Sequence, residues 1–206
     1  MLLKFLFKKK RSFEPQVFND PIAKGIEWNP VKKGLNLGSG KELDIKPNLL
    51  ILKAKKSEYV GLAIFVIVQM FFIFGLYCSF ESLSLVKKVL SCSFNLFITY
   101  SLFLTMKNIR KKIEIDLILA HIKMNDEKIP FSTIIGIQLL EEYIRTKNNC
   151  FYAYEVNIVL HNSKRINLTD LKNYYKAKHI AEVIAEKLNV SLWDMRNPNQ
   201  SRKKAG

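Results

Sequence analysis

Between Tyr59 and Phe80 the chain reads YVGLAIFVIVQMFFIFGLYCSF, 22 residues without a charge. A helix rises about 1.5 Å per residue, so this run is long enough to cross a hydrocarbon core roughly 30 Å thick. A second uncharged run, Val89 to Met106, has 18 residues and is more polar, through Ser91, Ser93, Asn95, Thr99 and Ser101. Glu81 to Lys88 separate the two, which makes the predicted helices antiparallel neighbours. A soluble chain of 206 residues would have to shield two helices apolar on every side with what remains, a poor use of its length. The first long apolar run begins near residue 59 and has no small-residue cleavage pattern behind a short basic start. It therefore reads as a retained anchor rather than a removed signal.

Flanking charge sets the expected direction of this hairpin. Lys46, Lys53, Lys55 and Lys56 precede the first run and Lys107, Arg110, Lys111 and Lys112 follow the second, against Lys87 and Lys88 between them. Cytoplasmic flanks carry the excess of Lys and Arg, so both ends are expected in the cytoplasm, with a bacterial inner membrane as the setting. The whole chain has 33 Lys and Arg against 18 Asp and Glu, a formal charge of +15 that calls for an anionic neighbour. Residues 1–56 hold thirteen of the bases against five acids. Such crowding beside the spans suits anionic headgroups, at roughly 1 kcal/mol per cation near the surface. No RNP-like, helix-turn-helix or zinc pattern supports nucleic acid as the partner.

The extreme N-terminus, MLLKFLFKKKR, resembles an interfacial anchor, with Leu2, Leu3, Phe5, Leu6 and Phe7 ahead of Lys8, Lys9, Lys10 and Arg11. The expected membrane-surface contacts are these four cations together with Lys53, Lys55, Lys56, Lys107, Arg110, Lys111 and Lys112. Asn29 to Asn48 is rich in turn formers, and Glu42 to Ile45 and Leu49 to Leu52, around Lys46-Pro47-Asn48, predict a short hairpin leading to the membrane.

Beyond Lys112 the pattern becomes α+β. Ile113, Ile115 and Leu117 alternate with Glu114 and Asp116, and Met124 to Glu127 supplies a turn. Gly136 to Thr146 predicts a further strand. In Phe151 to His161, Tyr152, Tyr154, Val156, Ile158 and Leu160 line one face, while Glu155 and Asn157 are expected on the other. Asn162-Ser163-Lys164 turns into a short strand at Arg165 to Leu168. A helix capped by Thr169 or Asp170 follows, with Leu171, Tyr174, Ala177, Ile180, Ala181, Ile184 and Leu188 on its apolar face. Val190 to Trp193 predicts a final extended piece.

The expected organisation is thus a basic cytoplasmic N-terminal segment over 1–56, and a transmembrane α-helical hairpin over 57–107 with spans at 59–80 and 89–106. An α+β domain over 108–194, antiparallel strands closed by a C-terminal amphipathic helix, and a disordered basic tail over 195–206 complete it. The order of elements from Lys112 to Asp194 resembles the pleckstrin-homology-like domains of small bacterial two-span membrane proteins. The resemblance rests on Lys128-Ile129-Pro130-Phe131 with Ile134-Ile135-Gly136-Ile137, the Tyr/Val strand, Lys164-Arg165-Ile166 and the terminal helix. It implies a membrane-proximal interaction domain and transfers no catalytic residue.

Catalytic patterns are absent from the sequence. His121, His161 and His179 have no partner at metal-ligand spacing, and no GxSxG marks a nucleophile. The glycines from Gly34 to Gly40 lack the spacing and the hydroxyl residue of a phosphate loop, since Glu42 stands where Ser or Thr is required. Cys78 and Cys92 fall in the apolar runs and Cys150 stands alone, so reduced thiols and no structural zinc are expected. No cofactor is expected. Asn167-Leu168-Thr169 matches a glycosylation sequon, which a cytoplasmic location would leave unused. Gln69 and Asn95 are amides at membrane depth, where facing lipid is costly, and are expected to meet each other or another subunit.

Together these readings predict a non-enzymatic inner-membrane protein whose cytoplasmic domain binds a protein partner or lipid headgroups, with a homo-oligomer among the options. The alternatives are a small immunity or superinfection-exclusion factor acting within the bilayer, and an accessory subunit of a membrane complex.

Overall fold

The structure, a computed structural model, describes residues 13–31, 41–79, 84–145 and 150–198. They divide into two compact units, one formed by residues 41–129 and the other by residues 13–31 with 130–198.

The first unit joins a five-stranded sheet to a helical hairpin. Strands β1 (Glu42–Lys46) and β2 (Leu49–Lys53) form the expected hairpin around Pro47 and Asn48, with Leu43 opposite Leu52 and Ile45 opposite Leu50. Helices α2 (Lys56–Ser79) and α3 (Leu85–Ile109) follow, after the short helix α1 (Pro21–Gly25) of the other unit. Strands β3 (Ile113–Asp116), β4 (His121–Met124) and β5 (Glu127–Pro130) then complete the order β1-β2-β3-β4-β5. β2 and β3 pair antiparallel, Leu49 with Asp116 and Leu52 with Ile113, although 59 residues lie between Lys53 and Ile113 in sequence. The helical hairpin is therefore an insertion between two neighbouring strands. Leu50, Leu52, Ile113, Ile115 and Ile122 are fully buried, each contributing about 1.5–3 kcal/mol.

α2 begins three residues before its predicted span and α3 extends past its span at both ends, because the polar residues flanking the apolar runs there continue the helix without a breaker. Lys87 and Lys88 thereby belong to the first turn of α3 rather than to a loop. The helices are long and apolar enough to cross a membrane, and only 6% and 0% of their most apolar windows are buried. That exposure separates them from the core helix of a soluble protein, which hides the same composition.

The second unit is a four-stranded sheet covered on both faces. β6 (Ile134–Arg145), β7 (Cys150–Leu160) and β8 (Arg165–Leu171) are antiparallel neighbours; α4 (Tyr174–Leu188) leads into β9 (Ser191–Asp194), which pairs parallel to β6, giving the order β8-β7-β6-β9. A strand, and not the helix, is thus the closing element. α4 packs on the sheet through Tyr174, Ala177, Ile180, Ala181, Ile184 and Ala185, the expected stripe without Leu171, which lies in β8, and with Leu188 half-buried. Its cap is Asn173, whose Oδ1 accepts from Lys176 N at 3.0 Å; Thr169 and Asp170 are strand residues. The cap moved because β8 continues to Leu171 in register with Tyr154 of β7, so helical geometry starts only after it. Asn189 closes the helix at φ 51°, the left-handed conformation that asparagine tolerates.

Glu155 and Asn157 are buried, not solvent-facing, because the N-terminal segment lies over their face of the sheet. This strap holds a short 3-10 turn (Pro15–Val17) and α1, the latter capped by Asp20 Oδ1 accepting from Ile22 N at 2.9 Å. Phe18, Ala23 and Ile26 of the strap form a buried cluster with Val159 and Trp193, and Phe13, Trp28 and Ile135 pack at its edge. Trp28 stacks on Phe18 with ring centroids 4.8 Å apart and donates its Nε1–H to Ala23 O at 2.8 Å.

The sequence boundaries 1–56 and 108–194 are accordingly redrawn. Residues 13–31 join the second unit, 42–53 join the first, and the strands from Ile113 to Ile129 pair with β1 and β2 instead of with β6 to β9. Met195 to Asn197 are also part of the packed structure: Met195 N donates to Leu139 O at 2.9 Å, and Arg196 Nη1 to the Tyr154 hydroxyl at 3.1 Å. Residues 199–206 of the expected tail lie outside the described residues.

Candidate functional site

The β2–β3 pairing decides where the cations around the hairpin go. β2 ends at Lys53, three residues before α2 begins, and β3 begins at Ile113, four residues after α3 ends. Lys53, Lys55, Lys56, Lys107, Arg110, Lys111 and Lys112 are thereby gathered around the end of the hairpin that joins the sheet. The Tyr59 hydroxyl lies 3.5 Å from Ile109 O across the same end, and Ala54 and Ile109 are buried there.

Continuing the β2–β3 register by one residue sets Lys53 opposite Lys112, a like-charge pair that would oppose strand pairing. Each is answered by a carboxylate on a neighbouring strand residue: Lys53 Nζ lies 2.6 Å from Asp44 Oδ2, and Lys112 Nζ lies 2.6 Å from Glu114 Oε1. The hydrogen bond from Lys53, and then its charge, holds the Asp44 carboxyl below its usual range; the same bond raises the Lys53 ammonium. Lys55, Lys56, Lys107, Arg110 and Lys111 have no ion pair among the described residues, and all but the half-buried Lys55 are exposed. The result is a cationic collar with its charge turned outward. Lys8, Lys9, Lys10 and Arg11, grouped with it by sequence, lie outside the described residues, as do residues 34–40 of the glycine cluster.

Within the hairpin, Gln69 is 7% exposed and donates through Nε2 to Asn95 Oδ1 at 2.9 Å, while Asn95 Nδ2 returns to Ser91 O at 2.9 Å. The two amides are the ones that sequence marked at membrane depth. Thr99, Ser101 and Thr105 each donate to the carbonyl four residues back, at 2.8, 3.0 and 2.9 Å, so their hydroxyls ask nothing of a neighbour. Replacing Asn95 by Leu strands the Gln69 amide and is expected to cost about 0.6–1.7 kcal/mol, the range for interhelical bonds in bilayers. Gln69→Leu leaves Asn95 its bond to Ser91 and should cost less. Helix content followed by circular dichroism through an SDS titration reads both, and a double variant no worse than Asn95→Leu identifies the pair as the shared cause.

Sequence gave no sign of the polar network under the strap. Gln138 Nε2 donates to Glu27 O at 3.0 Å, and Glu155 Oε1 accepts from Val31 N at 2.9 Å and from Asn157 Nδ2 at 2.6 Å. Arg165 donates to Glu27 Oε2 at 2.8 Å and to Asn29 O. Its side chain is 7% exposed although Glu27 is largely in solvent. Asn157 Oδ1 has no hydrogen-bond partner among the described residues. On the face covered by α4, the Tyr174 hydroxyl donates to Asp194 Oδ2 at 2.7 Å, beneath the Arg196 guanidinium 4.5 Å from its ring. Burial, then that bond to Asp194, raises the Tyr174 phenol well above its ordinary range.

Asn157 Oδ1 apart, the polar groups named here are bonded to one another or to the backbone. Among the described residues no three His, Cys, Asp or Glu side chains gather as a metal site requires. His121 sits in β4 with Nδ1 3.4 Å from Leu119 O, and His161 and His179 are exposed. Comparisons with protein-family models, with curated proteins and with solved structures find nothing that matches this chain.

Proposed function

We propose that the chain is a bacterial inner-membrane protein in which α2 and α3 cross the bilayer twice, with the collar at the anionic headgroups of the cytoplasmic leaflet. The sheets and α4 then form a non-enzymatic cytoplasmic module that binds a protein partner or headgroups. The observation that carries this reading is the pairing of β2 with β3, which ties the start of one apolar helix to the end of the other and collects seven cations around that junction. Five of them without an ion pair are worth roughly 1 kcal/mol each against an anionic surface. Tyr59 and Tyr77, near opposite ends of α2, stand where aromatic side chains meet a bilayer interface. The pleckstrin-homology-like reading of the module is supported by the antiparallel β6-β7-β8 run followed by an amphipathic helix on the sheet; β9 is an addition to that pattern.

The natural cysteines supply the test. Cys150 is exposed at the start of β7, and Cys78 and Cys92 lie in the apolar helices. In intact spheroplasts a membrane-impermeant maleimide should leave Cys150 unlabelled, and permeabilisation should expose it. Sodium carbonate should leave the chain in the membrane pellet. Release by carbonate would overturn the membrane reading; labelling of Cys150 in intact spheroplasts would overturn the orientation.

A further inference from the structure

A groove of about 860 Å³ runs between α2 and α3, walled on one side by Ile73, Leu76 and Tyr77 and on the other by Ser91, Cys92 and Thr99, with Asn95 beside them. Its volume falls within the range of about 300–1,000 Å³ typical of small-molecule sites. On α3, Lys88, Cys92, Asn95 and Thr99 follow one another at helical spacings of four, three and four, and so share a face; Lys87 stands one turn before Ser91. The face of α3 that lines the groove therefore continues, one turn beyond it, to Lys87 and Lys88 in the first turn of the helix. Glu81 is the single acid between the apolar runs in sequence, against those two bases.

We infer that this groove holds an anionic phospholipid of the leaflet opposite the collar, its acyl chain along the groove and its phosphate at Lys87 and Lys88. The inference rests on the membrane reading above. Two observations choose a lipid over a helix of a second copy. Two of the polar residues lining the groove are already bonded within the hairpin: Asn95 through Gln69 and the Ser91 carbonyl, and Thr99 through Asn95 O. Those two therefore offer little of the interhelical hydrogen bonding by which small polar stripes hold a partner helix. The groove, moreover, lies in the half of the hairpin away from the collar, and the bases nearest it along α3 are Lys87 and Lys88, which matches a molecule with one anionic head and an apolar body. The Tyr77 phenol stands near that end, at the level where an amphipathic ring meets the headgroups.

The test uses the full chain, purified in mild detergent and loaded with mixed phosphatidylglycerol and phosphatidylcholine, with retained lipid counted by native mass spectrometry. Wild type should keep one phosphatidylglycerol under activation that strips phosphatidylcholine. K87Q/K88Q should lower that retention by roughly tenfold, while K111Q/K112Q in the collar should leave it intact. K87R/K88R should keep it, and Cys92→Phe, which fills the groove while sparing both lysines, should lose it. Equal retention of the two lipids by wild type, or equal loss in the collar variant, would overturn the inference. So would undiminished retention in Cys92→Phe, a result that stands even if K87Q/K88Q fails to fold. A chain that stays in carbonate-washed membranes yet shows no lipid preference refutes this site alone, whereas one released by carbonate refutes the membrane reading beneath it.

Discussion

Gly136→Ala is expected to destabilise the second unit by about 1–3 kcal/mol, the cost of inserting a methyl group into a packed core. A Cβ at Gly136 would lie 2.5 Å from both Cη2 and Cζ3 of Trp193 and 3.0 Å from Cε3, closer than real Cβ contacts come. The indole is 2% exposed and tethered, since its Nε1–H donates to Asp20 Oδ2 at 2.9 Å, so it has no free direction in which to yield. Moving it would disturb Phe18, Ala23 and Ile26 of the strap as well as the β6–β9 pairing, where Gly136 lies opposite Ser191 and Gln138 opposite Trp193. The chain has two tryptophans, Trp28 and Trp193, and both belong to this contact. Intrinsic fluorescence during denaturation of the full chain in detergent therefore reads this unit without interference from the hairpin. Gly136→Val should be worse than Gly136→Ala. Adding Trp193→Leu should recover part of the Gly136→Ala loss, because the two residues are in contact and their effects do not add. An alanine variant with an unchanged midpoint would contradict the packing described.

Arg165→Met should release the strap. The guanidinium alone links β8 to both Glu27 and Asn29, and hydrogen bonds to charged groups contribute about 1.5–3 kcal/mol each when one end is buried. Because Glu27 is largely solvated, the lower part of that range applies to the ion pair itself. Arg165→Lys should rescue little, since one ammonium cannot reproduce the fork that reaches a carboxylate and a carbonyl together. Within the strap Lys24 is the one tryptic site, exposed in α1 yet held in helical conformation. Cleavage after Lys24 in limited trypsinolysis of the full chain should accelerate in Arg165→Met, with Trp28 emission shifting to the red as water reaches the Phe18 stack. Glu155→Leu should act in the same direction by stranding Val31 N–H and leaving the Asn157 amide nitrogen only its longer bond to Gln138 Oε1 at 3.4 Å, and Glu155→Gln, which keeps an acceptor, should act less. Cleavage at the wild-type rate in both Arg165→Met and Glu155→Leu would mean that the network does not hold the strap.

The local elements of this chain follow from its sequence alone. An uncharged run of 22 residues has few ways to fold other than as an exposed apolar helix, and Lys46-Pro47-Asn48 between two short apolar stretches fixed the first β-hairpin to within a residue. The stripe from Tyr174 to Ile184 marked the buried face of α4, because spacings of three and four report directly which side of a helix leaves water. Gln69 and Asn95 were legible as a pair because no other uncharged amides stand inside the two runs.

Tertiary structure alone decided how the pieces combine. Alternation reports that two faces of a strand differ, yet a polar face against a polar strap reads the same as one against water; Glu155, Asn157 and Gln138 are buried without a local signal to say so. The cap at Asn173 followed from how far β8 stayed paired with β7, a property of two strands together. Likewise, β3 chose β2 across the helical insertion, β9 chose β6 across α4, and residues 13–31 chose a sheet more than a hundred residues away. Closing a longer loop adds only slowly to the entropic cost, about 0.6 kcal/mol per doubling, so separation along the chain does not determine which surfaces meet. Complementary burial does, and it exists only once both surfaces have been built.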